Sequence, residues 1–112
     1  MADTALLSQI LESLTEPVLV GDTDHKVVYM NEAAAAHYTG GRTLMGTSLL
    51  DCHNEKSQEI MVEVLEALKR GEDERLIFES DEKRIFMRAI RDDSGVLVGY
   101  YERYERPMKH PE

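Results

Sequence analysis

Residues 49–72 read LLDCHNEKSQEIMVEVLEALKRGE, and their reading decides the fold. From Asn54 to Arg70 the helical signals agree. Ile60, Met61, Val64, Leu65 and Leu68 recur at the spacing of a single helix face. Asn54 has an N-capping side chain and Glu55 places negative charge in the first turn. Lys69 and Arg70 place positive charge in the last turn, where the helix dipole favours it. Gly71 follows as the stop. A helix of this length with one apolar stripe requires a broad apolar surface to lie on.

The residues that follow supply that surface. Arg75 to Glu79, Lys83 to Arg91 and Val96 to Tyr104 read as three strands of a meander, joined at Ser80-Asp81-Glu82 and Asp92-Asp93-Ser94-Gly95. On the middle strand Ile85, Met87 and Ala89 share one uncharged face. Arg84 and Arg88 lie on the other face with Phe86 and Ile90, so the first face is expected to turn inward. Upstream, Val18 to Val20 and Val27 to Met30 flank Gly21-Asp22-Thr23-Asp24, a hairpin pattern. Asn31 caps a short helix, EAAAAHY, which Gly40-Gly41 closes. Arg42 to Cys52 reads as loop or short helical turns.

The chain opens with a helix from Thr4 to about Leu14. Asp3 or Thr4 caps it, Pro17 ends it, and Leu6, Leu7, Ile10, Leu11 and Leu14 form its stripe. The predicted class is α+β: one antiparallel sheet with helices on one face and an amphipathic helix at the N-terminus. Residues 1–15 form that helix, as linker or dimerisation element. Residues 16–106 form the domain, and residues 107–112 a loose tail.

A chain of 112 residues suits one domain. Its net charge of −9 would repel phosphate backbones, which argues against nucleic acid as a partner. No apolar run is long enough to span a bilayer, and the acidic N-terminus does not read as a signal peptide. A single cysteine cannot form an internal disulfide, and a cytoplasmic location is expected.

The order of elements resembles the PAS domain family. VVYMNEAAAAHYTGG follows the first hairpin, and LLDCHNEKSQEIMVEVLEALKRGE is followed by RIFMRAIRDDSGVLVGYYERYE. The Cys-His-x-x-Lys-Ser entry to the long helix is similar to a PAS subgroup found in multidomain sensors. The resemblance covers residues 5 to about 105 and implies a five-stranded sheet in the order 2-1-5-4-3. It also implies a ligand cleft between long helix and sheet, homodimerisation through the first helix, and a signalling output carried by a further domain or partner protein. No Asn-Cys-Arg-Phe-Leu string is present, so the resemblance argues against a flavin photoadduct.

Cys52, His53, Met61, Leu65, Met87 and Tyr100 are the candidate ligand-site residues. Near the long helix, His53 is close to where some haem-binding PAS sensors place an axial ligand, with Met87, Met61 or a bound gas in the sixth position; otherwise it ends a loop and bonds backbone. Cys52 has three readings: a thiolate activated by the helix N-terminus, a haem ligand, or a small residue packed under the loop. The pair makes a poor catalytic dyad, because adjacent residues rarely present their side chains to each other. Cys52 with His25, His37 and His110 gives no zinc spacing. Met61, Leu65 and Met87 line a cavity or fill core. Tyr100, Tyr101 and Tyr104 pack against the first helix or face a partner. The first helix is expected to pair with a second copy and also to dock on the outer sheet face at Phe86 and Ile90. The function expected is a sensory or protein-interaction module, not an enzyme. Haem sensing through His53 and ligand-free dimerisation stand as alternatives.

Overall fold

The computed structural model describes residues 3–106, without the side chain of Cys52. The tail 107–112, His110 within it, and the Cys52 thiol therefore lie outside the described residues. Helix α1 (Thr4–Ser13) precedes strands β1 (Leu19–Asp22) and β2 (Val27–Met30) and the short helix α2 (Glu32–His37). Two 3₁₀ turns, Gly41–Leu44 and Leu49–Cys52, lead into α3 (Glu55–Lys69), and β3 (Glu74–Glu79), β4 (Arg84–Arg91) and β5 (Leu97–Glu105) complete the chain. The five strands form one antiparallel sheet in the order β2-β1-β5-β4-β3.

Helix α3 is set at both ends by side chains. The Asn54 side chain accepts the Ser57 N–H at 2.8 Å, satisfying one of the donors that a helix N-terminus leaves open. At the other end, Gly71 takes φ 116°, a conformation that costs glycine little. From β4, the Arg91 guanidinium donates to the Leu68 carbonyl at 2.7 Å and to the Glu72 carbonyl at 3.0 Å. Between these ends Met61, Val64, Leu65 and Leu68 are buried against the sheet with Met30, Met87 and Tyr100. Each such side chain contributes about 1.5–3 kcal/mol by leaving water.

The inward face of β4 is the one its alternation predicts. Met87 is fully buried, Ala89 packs on the core, and Ile85 sits under the first turns of α3. On the outer face Phe86 is covered by the Arg103 guanidinium at 4.3 Å from the ring centroid. Arg84 and Arg88 there pair with Glu79 and Glu74.

Two expectations need correction. Gly21 and Asp22 do not belong to the first turn; they extend β1, where Gly21 pairs with Tyr100 and Asp22 with Gly99. A side chain at Gly21 would lie 2.8 Å from the Tyr100 ring and from Leu49, so only glycine lets this ring and the strand approach. The turn is Thr23-Asp24-His25, with His25 at φ 63°; the Asp22 carboxylate accepts the N–H groups of Asp24 and Lys26. Nor does α1 dock its stripe on the outer sheet face. Leu6, Leu7, Ile10 and Leu14 remain between 42% and 51% exposed. Polar bonds tie helix α1 to β2, to the cap of α2 and to the first 3₁₀ turn: Arg42 donates to Glu12 at 2.7 Å, the Tyr29 hydroxyl to Glu12 at 2.9 Å, and the Asn31 amide to the Leu11 carbonyl at 2.9 Å.

Candidate functional site

Alternation on β5 turns Tyr100, Glu102 and Tyr104 to the same face, and the register fixes what each meets. Tyr104 stands opposite Ile85, Glu102 opposite Met87, and Tyr100 opposite Ala89. All three therefore point to the helix side of the sheet. Tyr100 is buried in the core with its hydroxyl 2.8 Å from His25 Nδ1. Glu102 and Tyr104 instead border a cavity of about 230 Å³ between α3 and the sheet. Ser57, Ile60 and Met61 wall it from α3, and Ile77 and Ile85 from the sheet; His37, Tyr38, His53 and Lys83 stand round it.

Glu102 is 7% exposed. Its Oε2 accepts the Tyr38 hydroxyl at 3.3 Å and, weakly, that of Tyr104 at 3.5 Å, while the two hydroxyls lie 3.0 Å apart. Oε1 has no protein partner among the described residues. No buried side-chain polar atom there lacks a partner, so Oε1 keeps some exposure, and Glu102 borders the cavity. Burial pushes the Glu102 carboxyl above its ordinary range; nearby His53 and the two tyrosine hydroxyls counter this only in part. Burial beside this carboxyl likewise raises the Tyr38 and Tyr104 hydroxyls, so both stay protonated donors.

His53 ends the second 3₁₀ turn and is fixed on both sides. Its Nδ1 lies 2.7 Å from the Leu49 carbonyl, and its own carbonyl accepts the Gln58 amide at 2.8 Å. A carbonyl can only accept, so Nδ1 carries the proton and Nε2 is the remaining basic nitrogen.

Of the candidate ligand-site residues, the structure brings His53 and Met61 to the cavity. Leu65, Met87 and Tyr100 are closed into the core, 3% exposed or less. Sequence reasoning missed Glu102, Tyr38, Ser57 and Lys83. The signal for Glu102 was present: it shares strand parity with Tyr100 and Tyr104, and an ionisable residue on a core-facing parity marks a site or a partner. Tyr38 carried no such signal, because its reach across to β5 depends on where α2 lands.

Haem does not fit this cleft as it stands. His53 offers one ring nitrogen, but about 230 Å³ is below the roughly 300–1,000 Å³ of pockets for drug-sized ligands, and a porphyrin is large among such molecules. Of the two methionines expected as a sixth ligand, Met87 is fully buried in the core and Met61 borders the cavity. Among the described residues no three histidine, cysteine or carboxylate side chains gather where a metal ion could sit. No described helix is long and apolar enough to cross a membrane.

The sequence matches the PAS fold family over residues 5–99. The chain belongs to the PAS family. Solved structures share the fold at low identity. A C-terminal domain from Streptococcus mutans is 23% identical with a TM-score of 0.75, over 94% of this chain and 85% of that one. A sensory box sensor histidine kinase from Vibrio cholerae is 17% identical with a TM-score of 0.64, over 92% and 90%. The PAS domain of BvgS from Bordetella pertussis is 14% identical with a TM-score of 0.65, over 94% and 86%. No curated protein matches significantly. The match is to the PAS fold as a whole and does not test the Cys-His-x-x-Lys-Ser subgroup.

Proposed function

We propose that this PAS domain is a cytoplasmic sensory module, not an enzyme, which registers a small ligand between α3 and the sheet. One observation carries the reading. A buried carboxyl on the central strand, braced by two tyrosine hydroxyls, borders a cavity. Small-ligand clefts set a few polar groups among apolar walls, and this carboxyl is such a group beside Ile60, Met61 and Ile77. The shared fold with the sensory box sensor histidine kinase from Vibrio cholerae supports a signalling role for the domain.

Helix α2 links this cleft to α1. Its C-terminal end carries His37 and Tyr38 to the cavity, while Asn31 at its N-terminal end is bonded to the Leu11 and Glu16 carbonyls. A ligand that displaces the Tyr38 hydroxyl shifts a six-residue helix whose other end holds α1. The exposed stripe of Leu6, Leu7, Ile10 and Leu14 favours a second copy of the chain as the receiver of that shift.

Filling the cleft tests the proposal. Protein purified under native conditions is expected to release a small molecule on denaturation, and Ser57→Phe protein to release none. Equal recovery from the two, or none from either, contradicts it.

A further inference from the structure

The cleft's own chemistry narrows the ligand, an inference that rests on reading the cleft as a ligand site. We propose that it takes a small organic cation, an ammonium or amidinium, docked on Oε1 of Glu102 with the Tyr38 and Tyr104 hydroxyls beside it.

Three observations point the same way. First, Glu102 is a buried acid without an ion-pair partner: it takes part in none of the ion pairs among the described residues, and its Oε1 has no protein partner among them and keeps some exposure. A cation supplies both the missing charge and the missing donor. Second, the groups facing Glu102 leave room for one. His37 and Tyr38 come from the end of α2, His53 from the loop before α3, and Tyr104 from β5. Lys83 stands at the β3–β4 turn with its ammonium over the Phe78 and Tyr104 rings, 5.7 and 5.8 Å from their centroids. Among the described residues, the only permanent cation bordering the cleft is thus held on aromatic faces. Third, the walls suit a short hydrocarbon, with Ile60, Met61 and Ile77 on two sides. A volume of about 230 Å³ equals roughly eight waters of liquid, which admits a compact ligand. The net charge of −9 attracts cations and opposes carboxylates.

Binding has a proton attached to it. Burial favours the protonated Glu102 acid. An arriving ammonium stabilises the carboxylate, and the acid proton passes to solvent. Affinity for a permanent cation therefore rises with pH while Glu102 titrates, by at most about tenfold per pH unit.

The test is titration of the ¹⁵N-labelled full chain with n-butylammonium, n-butanol and n-butyrate at two pH values. The expected result is that butylammonium shifts the amide signals of Ser57, Glu102 and Tyr104. Butanol and butyrate bind at least tenfold more weakly, and butylammonium affinity is higher at the higher pH. Glu102→Gln keeps the shape of the neutral acid and should weaken butylammonium about tenfold or more, while its remaining spectrum reports an intact fold. Tyr38→Phe leaves the carboxyl in place and weakens binding less. If butanol or butyrate shifts the same signals as well as butylammonium does, the cationic class is overturned and the cleft survives as a ligand site. Undiminished butylammonium binding by Glu102→Gln overturns the role of the carboxyl. If none of the three probes moves these signals, the cation proposal and the ligand-site reading fall together.

Discussion

Glu102 sets the energetics of the site, and the sign of its effect can be worked out. Its folded pKa is raised above the ordinary 4.5 by burial. Between those two values the folded state holds a proton that the unfolded chain has lost, so stability falls as pH rises through that window. Below the ordinary value both states are protonated and the cost vanishes. Glu102→Gln should therefore raise stability at neutral pH, the gain changing by at most about 1.4 kcal/mol per pH unit. Urea denaturation at pH 4 and pH 7 checks this: the gain should appear at pH 7 and be absent at pH 4. His25 acts in the opposite sense. Burial lowers its pKa below the ordinary 6.5, so the folded state resists a proton that the unfolded chain accepts. Its contribution is whole above the ordinary value and is lost as pH falls below it. Asparagine tolerates the left-handed backbone at this position, so the His25→Asn protein should lose less stability than wild type between pH 7 and pH 5. Equal losses would show that the imidazole is not the cause.

Among the elements, α2 and its cap do more than their length suggests. Asn31 is fully buried and its side chain makes four bonds. Its side-chain oxygen accepts the Val18 and Ala34 N–H groups, and its nitrogen donates to the Leu11 and Glu16 carbonyls. Asn31→Ala should cost at least about 2 kcal/mol, because two buried donors lose their acceptor. Asn31→Asp separates the roles: it keeps the acceptor and loses both donations. Hydrogen exchange across residues 4–13 should quicken in this variant more than exchange in α3 does; unchanged protection of α1 would refute the tether. The capping role of Asn31 was legible in the sequence, since its position before EAAAAH is enough. Its second role was not, because the carbonyls it holds belong to a segment 15 to 20 residues earlier, brought close only by the fold. The same limit applies to α1. Periodicity identified its stripe, yet nothing in a stripe says which surface receives it.

At the scale of the whole molecule, the meander and the long helix were readable because period-2 and period-3.6 patterns are local and strong in residues 54–105. The sheet order 2-1-5-4-3 came from family resemblance and agrees with the pairing of β1 with β5. The cavity was only half legible. His53 and Met61 lie in or beside the long helix, whose pattern is local, whereas Glu102, Tyr38 and Lys83 reach the cavity from three other places in the chain. If α1 receives the signal, the full chain should sediment as a dimer and a chain beginning at Glu16 as a monomer; an unchanged dimer would remove α1 from the interface. The central claim is that the space between α3 and the sheet is a ligand site, and a crystallographic screen with small polar fragments tests it most directly. The account predicts fragments bound between Met61 and Glu102, within hydrogen-bond reach of the Glu102 carboxyl. Crystals in which side chains close that space, with no fragment entering it, would contradict the account.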